Sequence, residues 1–243
     1  MGIAKGDQNL SSAFQASDFV HLHNHTHHSL LDGLTKIPDL VEKTKSLGMS
    51  AAAITDHGTM SGVIDYYKVA SAEGIKPIIG IEAYVAARSR LDREPAKDKQ
   101  RYHIILLAMN DIGYHNLMRL STEAHLEGMY YKPRIDRELL EKYNEGIIAL
   151  SGCASGEVGE ALRMDDYKKA VETAQWYKSV FGDRYYLELQ DSGHPQSPSP
   201  WDIQTKINQQ LKKISKQIDV PLVLTSDGHY LEHSHQEAHE ILL

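Results

Sequence analysis

The 243-residue sequence contains a single cysteine, Cys153. An intramolecular disulfide is therefore excluded, which fits a reducing, cytoplasmic environment. The sequence also lacks an uninterrupted apolar run of roughly eighteen residues or more, so it offers no membrane-spanning segment. Its polar start has no apolar stretch of the kind that a secretory signal needs. We expect residues 1–18 to form a flexible lead-in to one domain over residues 19–243.

An excess of positive charge is absent as well, because the formal net charge is -7 with neutral histidines. A protein that holds long duplex DNA by itself normally carries a basic face. We therefore expect either a small, local substrate contact or metal ions that supply the positive charge.

Histidine, by contrast, is abundant, with 14 residues in the chain. Five of them lie between His21 and His28, in the segment FVHLHNHTHHSLLDG. A purification tag is an uninterrupted run, whereas these histidines alternate with apolar and turn-forming residues. The pattern indicates a structured segment.

Short apolar runs alternate with segments of helical periodicity along the chain. The predicted strands cover residues 19–23, 50–55, 77–85, 102–109, 146–151, 185–190 and 221–226. The predicted helices cover residues 37–47, 60–73, 113–126, 136–143, 157–164, 167–181, 203–218 and 233–243. Such alternation predicts an α/β fold with parallel pairing and right-handed crossovers. It favours a closed, distorted β/α barrel over an open sheet, although the pattern by itself does not close the ring.

Six of the seven predicted strands bring a metal-ligand residue type to, or near, a strand end. Each case alone has an ordinary alternative: an HxH pair can be half-buried histidines, and a lone cysteine is commonly a small buried side chain. Glu82 and His103 are more telling, because a polar group inside an apolar strand is costly without a partner. The C-terminal ends of barrel strands collect at one mouth, so the joint pattern favours a metal site there.

Several segments carry a resemblance to a known family: HLHNHTHHSLLDG, ITDHG, GIEAYV, KPRID, LSGC and TSDGHY. They resemble the polymerase-and-histidinol-phosphatase (PHP) family from about Phe19 to the end of the sequence. KPRID and the cysteine of LSGC favour the branch found in bacterial DNA polymerase III alpha subunits. The resemblance implies a distorted seven-stranded barrel, (β/α)7, with a trinuclear metal centre. The ligands that it implies are His23, His25, Asp32, His57, Glu82, His103, Cys153, Asp227 and His229.

This complete ligand set implies a metal-dependent phosphoesterase, namely a 3′→5′ proofreading exonuclease, with Asp32, His57 and Asp227 as the expected catalytic residues. The trinuclear centre that the resemblance implies leads us to expect two or three divalent ions. The mixture of imidazole and carboxylate ligands favours Zn²⁺, Mn²⁺ or Fe²⁺ over Mg²⁺. The expected partners are a DNA 3′ end, the rest of a polymerase chain beyond HEILL, and replisome subunits such as a sliding clamp bound through those regions. Two alternatives stay open: a stand-alone phosphatase acting on a small phosphomonoester, and a catalytically silent, metal-stabilised scaffold.

The segment MYYKPRID supplies candidate substrate contacts. Lys132 and Arg134 are candidates for holding a DNA phosphate, and Tyr130 or Tyr131 for stacking on a terminal base. A solvated loop before the predicted helix at Asp136 is an equally good reading.

Two further residues flank the predicted ligands. Asp56 lies beside the predicted ligand His57. It is a candidate for orienting a ligand imidazole through a hydrogen bond to the ring nitrogen that does not bind the metal. His21 is expected not to be a ligand, because its side chain should point away from that of its core-facing strand neighbour.

Overall fold

The computed structural model of the protein describes residues 18–191 and 198–243. Apart from Asp18, the predicted lead-in over residues 1–18 lies outside the described residues. None of the helices in the described part combines the length and the apolar character that crossing a lipid bilayer requires.

Strands and helices alternate through the described part of the chain. The strands are β1 (Ala51–Ile54), β2 (Lys76–Ala86), β3 (Arg101–Ala108), β4 (Met129–Tyr130), β5 (Lys132–Ile135), β6 (Ile147–Leu150), β7 (Tyr185–Gln190) and β8 (Leu222–Thr225). The helices are α1 (Ile37–Ser46), α2 (Val63–Ala72), α3 (Pro95–Asp98), α4 (Asp111–Leu126), α5 (Arg137–Lys142), α6 (Glu157–Arg163), α7 (Tyr167–Phe181), α8 (Pro198–Ile218) and α9 (Gln236–Leu242).

The strands form one mixed sheet in the order β4-β5-β2-β3-β6-β7-β8, with β1 paired to the first part of β2. Residues 21–25 join the two ends of this arrangement through isolated bridges. His21 pairs with Ala52 of β1, and Asn24 pairs with Gly228 just after β8. With this segment, strands β1, β2, β3, β6, β7 and β8 make up the distorted seven-stranded barrel, which confirms the predicted fold class.

One strand runs against the predicted direction. β3 is antiparallel to both of its neighbours, β2 and β6, so the prediction of parallel pairing throughout was wrong. The reversal matters for the site, because it turns the beginning of β3 toward the barrel end at which the parallel strands finish. His103, the third residue of β3, thereby reaches that end.

Apolar side chains fill the barrel and the layer between the barrel and its helices. Ile105, Leu107 and Leu150 are buried inside the ring. On the outside, Leu106 packs in a larger core that includes residues of α4, α6, α7 and α8. Full burial of such a side chain contributes about 1.5–3 kcal/mol to folding, so apolar packing gives the framework a source of stability apart from the polar end.

Side-chain caps help to set where helices begin. Asn110 accepts a hydrogen bond from the Gly113 backbone N–H at the start of α4, and Asp136 accepts one from Leu139 at the start of α5. The sequence predicts no strand at residues 129–135, where β4 and β5 form a short hairpin.

Candidate metal centre

The predicted ligand side chains meet at one end of the barrel. His23 and His25 lie on the closing segment, His57 follows β1, and Glu82 sits in the middle of β2. Seven of the nine side chains fall into three groups whose ligand atoms lie within 4.8 Å of one another. These groups are His23, His25 and Asp227; His25, His57 and His229; and His57, Glu82 and His103.

The first group lies deepest. The Nε2 atoms of His23 and His25 are 3.1 Å apart. Both face Asp227 Oδ1, at 3.1 Å from His23 and 3.3 Å from His25. Both imidazoles are fully buried. Three potential metal-ligand atoms therefore point at one another, and two of them belong to fully buried side chains.

Glu82 connects this group to the other side of the centre. Its Oε2 atom lies 2.6 Å from His57 Nδ1 and 3.2 Å from His25 Nε2. Its Oε1 atom lies 2.9 Å from His103 Nδ1. Each oxygen of this buried carboxylate thus faces a different set of imidazoles.

The two remaining predicted ligands lie at the edge of the centre. Asp32 Oδ2 is 3.0 Å from His57 Nε2. Cys153 Sγ is 3.9 Å from His103 Nδ1. Burial raises the pKa of the Cys153 thiol to about 12, and the nearby Glu82 and Asp227 carboxylates act in the same direction.

Several buried atoms of the centre have no hydrogen-bond partner. They are Asp32 Oδ1, His57 Nδ1, Glu82 Oε2 and Asp227 Oδ1. Two of them, His57 Nδ1 and Glu82 Oε2, are only 2.6 Å apart but do not align as a hydrogen bond. A buried polar atom without a partner is destabilising by about 1–3 kcal/mol. A divalent cation accepts lone pairs from several such atoms at once. The convergent, unsatisfied atoms therefore fit a metal centre.

The carboxylates also control protonation in the cluster. Burial by itself lowers the pKa of His57, but contacts with Asp32 and Glu82 outweigh it and raise that pKa to about 10. Burial likewise disfavours a charged His23, yet Asp227, Glu188 and Glu82 raise its pKa well above the usual value. Cations bound at these nitrogens would replace the protons that the carboxylates now hold there.

Glu188, in the middle of β7, contacts a predicted ligand of the centre, and it was not predicted from the sequence. Its Oε1 atom lies 2.7 Å from His23 Nδ1, and its side chain is fully buried. It also accepts hydrogen bonds from Thr225 Oγ1 at 2.5 Å and from the Gly152 backbone N–H at 3.1 Å. A proton on His23 Nδ1 leaves the Nε2 lone pair facing the centre. The only sequence signal was a charged residue inside the strand YYLELQ.

Asp56 supports the imidazole of His25 through a hydrogen-bonded serine. Its carboxylate accepts a hydrogen bond from Ser29 Oγ at 2.9 Å. Since Ser29 donates its only hydroxyl proton there, the contact of 2.9 Å between Ser29 Oγ and His25 Nδ1 has the imidazole as donor. Asp56 therefore orients His25 through Ser29.

Backbone geometry places two of the predicted ligands. Asp227 has a φ of 52°, in the left-handed region that residues other than glycine seldom adopt. Gly152 has a φ of 77°, and a Cβ there would meet the His103 carbonyl oxygen at 2.8 Å. Glycine therefore permits the close turn that presents Cys153.

The predicted substrate contacts differ in their exposure and in the side chains that lie beside them. Lys132 is half-buried, and its Nζ atom lies 5.6 Å from the centroid of the Tyr84 ring. Tyr131 is exposed at the tip of the β4–β5 hairpin. Tyr130 lies instead against the side chain of Arg134, 5.1 Å from ring centroid to guanidinium carbon.

Arg134 is not available to a phosphate, so this prediction was wrong. The residue is 1% exposed. Its guanidinium donates to the carbonyl oxygens of Arg90, Asp92, Asp98 and Gly128, at 2.8–3.1 Å. These bonds hold together the loop after β2 and the hairpin, so its role is structural.

His21 takes part in none of the three groups of ligand atoms identified among the described residues. Its Nδ1 atom instead contacts Ser226 Oγ at 3.3 Å. The ring of His239 lies 5.7 Å from that of His229.

Comparison with known proteins gives the family. The PHP domain family matches residues 21–192. Similar sequences include DNA polymerase III subunit alpha of Aquifex aeolicus, 47% identical over 234 residues, and that of Thermus aquaticus, 45% identical over 229 residues. These alignments cover 94% and 93% of this chain but 20% and 18% of the relatives. The chain thus spans about a fifth of the length of these curated relatives.

A solved structure shares the fold. An amidohydrolase from Chromobacterium violaceum, with bound SO4 and no metal, superimposes with a TM-score of 0.56 at 12% identity. The match covers 92% of this chain and 96% of that one. The seven-stranded barrel, the histidine and carboxylate groups at its mouth and the family match lead to one conclusion: the chain belongs to the PHP domain family.

Proposed function

We propose that the chain is a metal-dependent phosphoesterase that hydrolyses phosphodiester bonds at the 3′ end of DNA. The observation that carries the phosphoesterase assignment is the convergence of imidazole and carboxylate atoms that are buried and lack hydrogen-bond partners. The choice of DNA, and of the 3′→5′ direction, rests on similarity to DNA polymerase III alpha subunits. In that setting the domain would act as a proofreading exonuclease.

The three groups of ligand atoms would hold two or three divalent ions, and Glu82 would supply one of the carboxylate ligands. Bound divalent cations lower the pKa of a water and stabilise charge on the attacking and leaving oxygens of a phosphodiester. Imidazole, carboxylate and thiol donors together favour Zn²⁺, Mn²⁺ or Fe²⁺ over Mg²⁺.

The chain's own residues have distinct tasks in this proposal. Asp227 and Glu82 place negative charge beside the buried imidazoles of His23 and His25, so that cations can lie close together. Asp32 and His57 form the outer edge, with side chains 25% and 13% exposed, where a substrate arrives from solvent. Asp32, His57 and Asp227 are accordingly the proposed catalytic residues.

The proposed partners follow from the length of the relatives. A chain that spans about a fifth of a DNA polymerase III alpha subunit would work beside the remainder of such a polymerase, which presents the DNA 3′ end. Replisome subunits such as a sliding clamp would contact those other regions.

A nuclease assay tests the proposal. The protein is loaded with Mn²⁺ or Zn²⁺ and incubated with a 3′-labelled single-stranded primer, with and without chelator. We expect chelator-sensitive release of nucleoside monophosphates. Release of inorganic phosphate from a small phosphomonoester, with no nucleotide release, would instead support a stand-alone phosphatase. Metal binding without turnover of either substrate would support a scaffold.

A further inference from the structure

A polar cavity of about 250 Å³ opens beside the metal centre, next to His103. Three cationic side chains line it: Lys99, Arg101 and Arg163. Arg163 is already neutralised, because its guanidinium contacts both carboxylate oxygens of Glu160 at 2.6 and 2.7 Å. Lys99 and Arg101 form no ion pair with any of the residues that the structure describes.

Arg101 is held next to the centre and is incompletely satisfied. Its guanidinium carbon lies 5.7 Å from the centroid of the Tyr84 ring. That ring is in turn 5.2 Å from His103 and 5.8 Å from His57, between ring centroids. Arg101 Nη1 donates to the Lys99 carbonyl oxygen at 3.2 Å, whereas its Nε is buried without a hydrogen-bond partner. The Tyr84 ring therefore fixes one face of the guanidinium, and among the described residues Nη1 is the guanidinium nitrogen with a hydrogen-bond partner.

Lys132 and Lys99 extend the same positive surface. Lys132 Nζ lies 5.6 Å from the centroid of the Tyr84 ring, and Lys99 Nζ lies 5.5 Å from that of Tyr131. Like Arg101, Lys132 has no ion pair within the described ranges. Three uncompensated cations thus border the mouth of a protein whose net charge is -7. We call Lys99, Arg101 and Lys132 the cationic rim.

We propose that the cationic rim binds backbone phosphates adjacent to the scissile one, so that the site selects an oligonucleotide over a substrate with a single phosphate. This inference rests on the proposed function. Its chemical basis is that the metal centre takes one phosphate, while additional cations outside it match additional phosphates of the same strand. Tyr131 at the hairpin tip offers a face on which a base can stack beside Lys99.

The binding test compares Arg101→Gln with Arg119→Gln. Arg119 is a matched control, since its guanidinium carbon also lies 5.7 Å from a tyrosine ring centroid, that of Tyr143 on the outer surface. Binding of a fluorescent single-stranded 12-mer is measured by anisotropy in chelator over a range of salt concentrations. We expect Arg101→Gln to weaken binding about tenfold, as loss of a charged hydrogen bond does. The slope of log affinity against log salt should flatten by about 0.7. Arg119→Gln should change neither quantity, and Arg101→Lys should restore most of the slope.

The kinetic test uses the metal-loaded protein with two substrates, the oligonucleotide and thymidine 5′-(p-nitrophenyl phosphate), a diester with one phosphate. Arg101→Gln should lower kcat/KM for the oligonucleotide and leave that for the small diester unchanged. An equal fall for both substrates, or an unchanged salt slope, would overturn the rim proposal. If the wild-type protein hydrolyses neither substrate, the proposed function fails, while the binding measurement still decides whether the rim holds phosphates.

Discussion

Glu188 Oε1 lies 2.7 Å from His23 Nδ1, although the two residues are 165 positions apart in the chain. The contact joins the middle of β7 to the segment that closes the barrel. It orients an imidazole whose other nitrogen faces the metal centre, so a carboxylate of the framework controls a residue of the site.

Replacing Glu188 with glutamine should therefore impair metal binding while preserving shape and volume. Loss of a carboxylate behind a metal-binding histidine typically lowers metal affinity about 10–100-fold. Glu172→Gln is the control, because Glu172 is exposed on α7 and, among the residues that the structure describes, its ion pair is a 3.8 Å contact with Lys168. Competition with a fluorescent chelator measures the affinity. Equal metal affinities for Glu188→Gln, Glu172→Gln and wild type would show that Glu188 does not support metal binding.

The sequence was informative about which residues meet, and less so about how they are held. Strand ends marked His57 and Asp227, and the HxH spacing marked His23 and His25, because residue type and strand periodicity are local properties. The antiparallel direction of β3 depends on tertiary pairing, and alternating strands and helices favour the parallel alternative. Glu188 was hidden for the same reason, since its value comes from a partner 165 positions away.

For Arg134, the local sequence suggested a role that the structure does not support. Within MYYKPRID its charge resembled that of a surface phosphate ligand, and nothing local separates it from Lys132. Burial separates them: Arg134 is enclosed by backbone carbonyl groups, whereas Lys132 extends toward Tyr84. Period-two alternation along β5 would put these two side chains on the same face of the strand. Their different burial therefore depends on the tertiary contacts that each side chain makes.

Arg134→Ala should consequently destabilise the fold, because it removes the donors for four backbone carbonyl groups. Unsatisfied buried acceptors and the lost side chain should together lower the free energy of unfolding by about 3 kcal/mol or more. Lys132→Ala, two residues away, should cost less than about 1 kcal/mol and weaken DNA binding instead. Urea denaturation monitored by circular dichroism makes the comparison. Comparable stability of the two variants would mean that the Arg134 contacts contribute little.

Asp227→Asn should remove nucleotide release while the barrel stays folded. The loss of an organised metal pair raises the barrier by several kcal/mol, on the order of a thousandfold or more in rate. Asp219→Asn is a matched control, since Asp219 is exposed and has the same φ of 52°. Asparagine tolerates this left-handed conformation. Activity and melting temperature are measured on the same samples. Wild-type rates in Asp227→Asn would show that the site is wrongly assigned.

Cys153 permits a clean chemical test because it is the sole cysteine. Burial, with Glu82 and Asp227, raises the pKa of its thiol to about 12 in the metal-free protein. The thiolate is the reactive form, so labelling by a thiol reagent should be slow near pH 8 and accelerate as the pH rises toward that value. A bound metal should protect the sulfur, and Cys153→Ser should weaken metal binding. Identical labelling rates for the metal-free and metal-loaded protein would exclude Cys153 as a ligand.

The central claim is that one polynuclear metal centre unites the side chains at the barrel mouth. Elemental analysis tests it most directly, on protein purified without chelator, reconstituted with Zn²⁺ or Mn²⁺ and freed of unbound ions. The three groups of ligand atoms predict two or three equivalents per chain. The Asp227→Asn variant should retain at least one equivalent fewer, and Asp219→Asn should match the wild type. Less than one equivalent in the reconstituted wild-type protein would contradict the account.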